Sequence, residues 1–222
     1  KLPLEYQVNS TRQFMRELNR LGLTSAIDAG GGFQNYPDDY EVINQLADAK
    51  QLTVRIAYNL FTQKPKEELE DFKHWTSTVK LHQGDDFLRH NGAGEMLTFS
   101  AADFEDFLEP RPDLPPGMEQ DLEPVVRHLV EHRWPFRLHA TYDESISRML
   151  DVFEKVNLDI PFNGIPWFFD HCETISPKNI ERVKALGGGI AIQDRMAFQG
   201  EYFVDRYGKQ AAQATPPIKR ML

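Results

Sequence analysis

What most constrains this chain is a regular alternation of short apolar runs with amphipathic stretches. Residues 23–29, 52–60, 78–81, 136–140, 167–171 and 190–193 read as buried strands. Helical spacing of apolar residues marks 11–21, 39–50, 65–75, 119–133, 143–156 and 176–186 between them, the last opened by Ser176 as cap with Pro177 at the first position. Strands apolar almost throughout, each separated from the next by a helix or a helix-bearing loop, imply a parallel sheet covered on both faces. Only between residues 83 and 117 does the order loosen. Gly84, Gly92, Gly94 and the Pro-rich run 110–117 predict a long loop or insertion there, with one short helix over 101–108.

A doubly wound open sheet and a (β/α)₈ barrel both satisfy this pattern. The barrel is favoured because polar residues gather at the predicted C-terminal ends of strands, where barrel enzymes build their sites. Asp28, Lys80, His139 and His171 stand there. The expectation is one domain over residues 1–222, an incomplete barrel of about six βα units without its first and last strands. Two bare sheet edges would follow, beside residues 23–28 and 190–193, covered by a second copy or by further polypeptide.

Composition narrows the function. The 222 residues are 41% hydrophobic and 27% charged, enough for one sizeable core. A net charge of −9 with dispersed Lys and Arg leaves no basic stripe, which argues against nucleic acid and anionic membranes as partners. Cys172, the single cysteine, excludes an intrachain disulfide framework and reads as a small buried residue. With no run of about 18 apolar residues, the chain is expected to be soluble, cytoplasmic by default, or periplasmic if an export signal lies upstream. It starts without Met and ends soon after Pro216-Pro217, and it reads as an internal piece of something longer.

His139 and His171 end consecutive predicted strands and should point into one space. Neutral imidazole is the commonest ligand for zinc and related ions, and adjacent strands can hold two such ligands close together without relying on loop order. Lys80 sits in the run Thr78-Val79-Lys80-Leu81, with His82 two residues on and so facing the same way. A buried lysine needs a partner or a lowered pKa, and a neutral amine can be carboxylated to become a metal ligand. His128-Leu129-Val130-Glu131-His132 fits an H-x-x-E-H metalloprotease pattern, but Leu122, Val125, Val126, Leu129 and Val130 form the core stripe of that helix. The pattern therefore falls on the solvated side. The glycine clusters at 29–32, 92–94 and 187–189 lack a phosphate-loop arrangement and read as turns.

Several of these segments resemble the amidohydrolase superfamily, in particular the branch that includes N-substituted formamide deformylases. They are His139-Ala140-Thr141-Tyr142-Asp143, His171-Cys172-Glu173, Ala191-Ile192-Gln193-Asp194, and Val79-Lys80-Leu81 followed by Gly84-Asp85. The resemblance implies a barrel with a His-x-His from its first strand, a carboxylated lysine or an acidic residue from the fourth, single histidines from the fifth and sixth, and an aspartate from the eighth. Carried over, the metal ligands are Lys80, His139 and His171. No His-x-His precedes Asp28 and nothing after Gln193 reads as an eighth strand, so these strands would be the second to the seventh. Tyr142, Glu173 and Asp194 depart from the family's usual residues. Glu173, Tyr142, Gln193 and His82 are the candidates to face substrate.

The implied cofactor is a divalent metal, zinc foremost, with Lys80 as a carboxylated ligand. The implied reaction is hydrolysis of a C–N amide-type bond in a small molecule by the parent protein, this stretch alone being inactive. Two rivals stand beside it: a barrel that has lost catalysis and serves as a binding or regulatory module, and a metal-free barrel enzyme using Lys80 as a Schiff-base amine.

Overall fold

The computed structural model describes residues 2–30, 35–104 and 106–222. Six strands form one parallel sheet: β1 (Ser25–Asp28), β2 (Arg55–Leu60), β3 (Leu88–Ala93), β4 (Phe136–Ala140), β5 (Trp167–His171) and β6 (Gly189–Ile192). Their spatial order is their chain order. A doubly wound sheet reverses order at its switch point, so this order decides for the barrel type. The helices are α1 (Leu4–Arg20), α2 (Glu41–Asp48), α3 (Glu68–Thr78), α4 (Met118–Glu131), α5 (Asp143–Asp159) and α6 (Pro177–Ala185), with α7 (Met196–Tyr207), α8 (Lys209–Gln213) and α9 (Ile218–Met221) after the last strand. Among the described residues no helix is long and apolar enough to cross a membrane.

The sheet is curled into an open half-barrel. In a flat sheet, strands two places apart lie about 9–10 Å from each other. Here the amide of Glu95, just after β3, donates to Ala29 O just after β1 at 2.6 Å, across the top of β2. Glycine makes that approach possible. A Cβ at Gly30 (φ +81°) would lie 2.9 Å from Asn59 O and from the Cα of Gly94, and one at Gly94 would lie 2.6 Å from Ala29 O. Gly31 and Gly32, the rest of that predicted turn, lie outside the described residues.

The later half of the chain folds as its pattern predicts. Every residue of β4 is buried, and its neighbour β5 pairs with it in register from Phe136↔Trp167 to Ala140↔His171. Phe153 of α5 stacks on Phe169 of β5 and meets Trp167 edge-on, closing the layer between helix and sheet. The predicted stripe of α4 is buried throughout, and Ser176 caps α6 by accepting from the Asn179 amide at 3.3 Å.

The predicted strand at 78–81 is corrected. Helix α3 runs through Thr78, Val79 packs into the core, Lys80 is exposed, and the chain turns at His82 (φ +62°). The third strand is Leu88–Ala93, inside the stretch expected to be a loop, and the short helix expected over 101–108 reduces to a 3-10 turn at Phe99–Ala101. The strand was hidden because its sequence, Leu-Arg-His-Asn-Gly-Ala, is neither apolar nor alternating. Its polar members are paired through distant parts of the chain: Asn91 donates to Asn59 Oδ1 at 3.3 Å, and the His90 ring packs on Trp134. As expected, the outer strands are the least covered, Ile27 of β1 being 55% exposed.

Candidate metal centre

Three chemically suited side chains meet at the C-terminal rim of the sheet. Glu95 follows β3 and Gly94, and its carbonyl accepts from the His139 amide at 2.6 Å, which seats it against β4. His139 is the penultimate residue of β4, and His171 ends β5. The two imidazole rings lie 4.3 Å apart between centroids. His171 Nε2 donates to Glu95 Oε2 at 3.2 Å, and His139 Nδ1 lies 3.9 Å from the same oxygen. His171 and Cys172 both adopt left-handed backbone (φ +82° and +54°), which costs on the order of 1–3 kcal/mol per residue. Here the chain leaves the sheet. The Cys172 amide still donates to Ala140 O at 2.8 Å, so the bend is pinned.

The donor set fits a divalent ion. One ligand atom from each of Glu95, His139 and His171 can be chosen so that all lie within 4.8 Å of one another. His139 Nδ1 is buried with no hydrogen-bond partner, an orphan imidazole nitrogen facing a carboxylate. Two imidazoles and a carboxylate suit zinc and its neighbours. Burial by itself would raise the Glu95 carboxyl, but the hydrogen bond from His171 and the nearness of both imidazoles outweigh it and bring the group down to about 2. At His171 burial favours the neutral ring, and the bond and charge of Glu95 overcome it, so its pKa is raised. Asp28 ends β1 on the same rim, its carboxyl raised by burial and, in part, by Glu95.

A second tier stands behind the three. Asp103 is wholly buried; its carboxylate accepts from the amides of Thr141 and Tyr142 at 3.0 Å and lies 3.4 Å from His139 Nε2. Glu173 is also wholly buried, 3.1 Å from Arg195 Nε; burial raises its carboxyl, and Arg195 offsets only part of that. Tyr142 is buried beside Phe107, with the Arg111 guanidinium over its ring. Gln193 is exposed and accepts from Arg195 at 3.2 Å. The Cys172 thiol is pushed well up by burial and by the surrounding carboxylates, which suits a packing role.

Lys80 and His82 do not join this group. Gln83 accepts from the His90 amide and donates to Lys80 O, which places that segment beside the first half of β3. From His90 to Glu95 is about 16 Å of extended chain, beyond the reach of a lysine side chain. The acidic residue Glu95, two residues beyond β3, stands where the family resemblance implied a lysine or an acidic ligand and Lys80 was expected. Glu95 and Asp103 were missed because both fall in the presumed loop. The signal that could have found them was Gly94-Glu95, a glycine and an acid placed like the end of a strand.

Two solved structures share the fold. Both are uncharacterized metal-dependent hydrolases, one from Pyrococcus horikoshii OT3 (16% identity, TM-score 0.66, alignment over 99% of this chain and 43% of that one) and one from Pyrococcus furiosus (16% identity, TM-score 0.69, 99% and 45%). The chain thus spans less than half the length of either. No curated protein sequence matches it. The model of the amidohydrolase family matches from residue 1 to residue 222, and the chain belongs to that family.

Proposed function

We propose that Glu95, His139 and His171 hold a divalent metal ion, zinc foremost, and form the middle of the active site of a hydrolase that cleaves a C–N amide-type bond in a small molecule. The observation that carries this reading is the meeting of three ligand-type side chains from three separate strand ends, with a buried imidazole nitrogen left unpaired among them. When bound, such an ion lowers the pKa of a water and polarises a carbonyl. The chain's own part is to present three ligands on packed strands. Glu173 and Arg195, whose charges act on His171, together with Tyr142 and Gln193, are the candidates to set which substrate fits.

On this reading the 222-residue chain alone turns over no substrate, since it offers no His-x-His before Asp28 and no aspartate on an eighth strand. The bare edges at β1 and β6 are then covered by further polypeptide or by a second copy. The Schiff-base reading of Lys80 loses its support, because that amine is exposed and away from the strand-end rim.

Calorimetric titration with zinc tests the proposal. One weak site per chain is expected, abolished in Glu95→Ala and unaffected in Lys80→Ala. Absence of binding to the unaltered chain, or binding that survives Glu95→Ala, overturns it.

A further inference from the structure

Asp103 lies in the segment between β3 and α4, and its carboxylate is 0% exposed. Two of its contacts are to backbone: the amides of Thr141 and Tyr142, which lead into α5, donate to it at 3.0 Å. Those alone would make it a staple between a loop and a helix start. The Ser145 side chain, in α5, adds to that role; the approach to His139 has no such use. Oδ1 lies 3.4 Å from Nε2 of His139, on the side of the ring away from Glu95.

A neutral imidazole has one protonated and one bare nitrogen, and what faces one nitrogen decides the state of the other. Thr141 Oγ1, 3.2 Å from the same Nε2, can donate or accept and so selects neither form. A carboxylate can only accept. We propose that Asp103 is a positioning residue for the metal centre: its buried carboxylate keeps the proton of His139 on Nε2, so that the Nδ1 lone pair is turned toward the space shared with Glu95 and His171. An Nδ1 without a hydrogen-bond partner is what this arrangement requires, and His139 has one. A carboxylate behind a ligating histidine fixes ring orientation and raises ligand basicity. The inference rests on the metal-site reading, but the tautomer itself is a property of the metal-free chain.

The test is long-range ¹H–¹⁵N correlation NMR of the histidine rings in metal-free protein at about pH 8, above the imidazole range. The His139 signals are assigned by their loss in His139→Asn. The unaltered chain should show the Nε2–H form. Asp103→Asn keeps an acceptor for the two amides but brings an NH₂ group near Nε2; the tautomer should become mixed, and zinc affinity should fall by about ten- to a hundredfold. Thr141→Val removes the other Nε2 partner and should leave the tautomer as it was. An Nδ1–H form in the unaltered chain, a switch caused by Thr141→Val, or unchanged tautomer and affinity in Asp103→Asn each overturns the inference. If the unaltered chain binds no zinc, the metal-site reading fails while the tautomer measurements still decide the role of Asp103.

Discussion

Among the described residues two histidines and a glutamate come together twice, at the strand rim as Glu95, His139 and His171 and on the outer side of α4 as His128, Glu131 and His132. The helical set is close because residues three and four apart on a helix are always neighbours. Its imidazoles serve local structure. His128 Nε2 meets Thr76 Oγ1 at 2.8 Å, His132 Nδ1 donates to His128 O at 2.8 Å, and Glu131 and His132 are exposed. The rim set is spread over 77 positions of sequence, Glu95 to His171, and is close only because β3, β4 and β5 end together. Adjacency that a helix produces for nothing says little; adjacency that three strand ends must cooperate to produce, with an imidazole nitrogen left bare, is the stronger ground for proposing a site.

The support beneath the two sets should differ most. Arg137 and Asp170 form a buried, hydrogen-bonded pair on the strands that carry His139 and His171, with the guanidinium also over Phe168. Asp170→Ala leaves a buried charge unpaired and should cost about 3–5 kcal/mol in urea unfolding, whereas His132→Ala on the helix surface should stay within about 0.5 kcal/mol. Equal effects would break the comparison.

Ligand loss comes next. Glu95→Ala should weaken zinc binding at the rim by more than about a hundredfold, above what removal of an outer partner costs. His128→Ala should leave that site unchanged by equilibrium dialysis.

Acid should separate the sets as well. A protonated imidazole cannot ligate. His171 has its pKa raised above 6.5 by Glu95 against the effect of burial, so proton competition at the rim begins above the ordinary imidazole range as pH falls. His128 has its pKa lowered, by burial first and then by His132, so its ring takes up a proton only below that range. A rim affinity that holds steady until the pH is below 6.5 would contradict the assigned geometry. Smallest of all, Lys80→Ala should alter neither stability nor metal binding measurably, since its side chain is exposed and apart from the rim.

How far sequence could reach differs along the chain. Strands β4 and β5 were legible because burial makes most of their residues apolar and aromatic, and a histidine at the end of each then stands out against that background. The stripe on α4 was legible for the matching helical reason, and it left Glu131 and His132 on the exposed side. Strand β3 was not legible. His90, Asn91 and Gly92 look like loop residues until Asn59, Trp134 and the Pro135 carbonyl are brought beside them.

What the sequence by itself determined is therefore the alternation of strand and helix, the parallel sheet, and His139 and His171 as a pair at its C-terminal rim, all properties written in local periodicity. Tertiary structure decided the rest: the strand order that makes a half-barrel, the exclusion of Lys80 and His82 from the rim, and the recruitment of Glu95 and Asp103. The physical reason is that a polar residue buried in a strand is stabilised by partners distant in sequence, and no local pattern announces who those partners are.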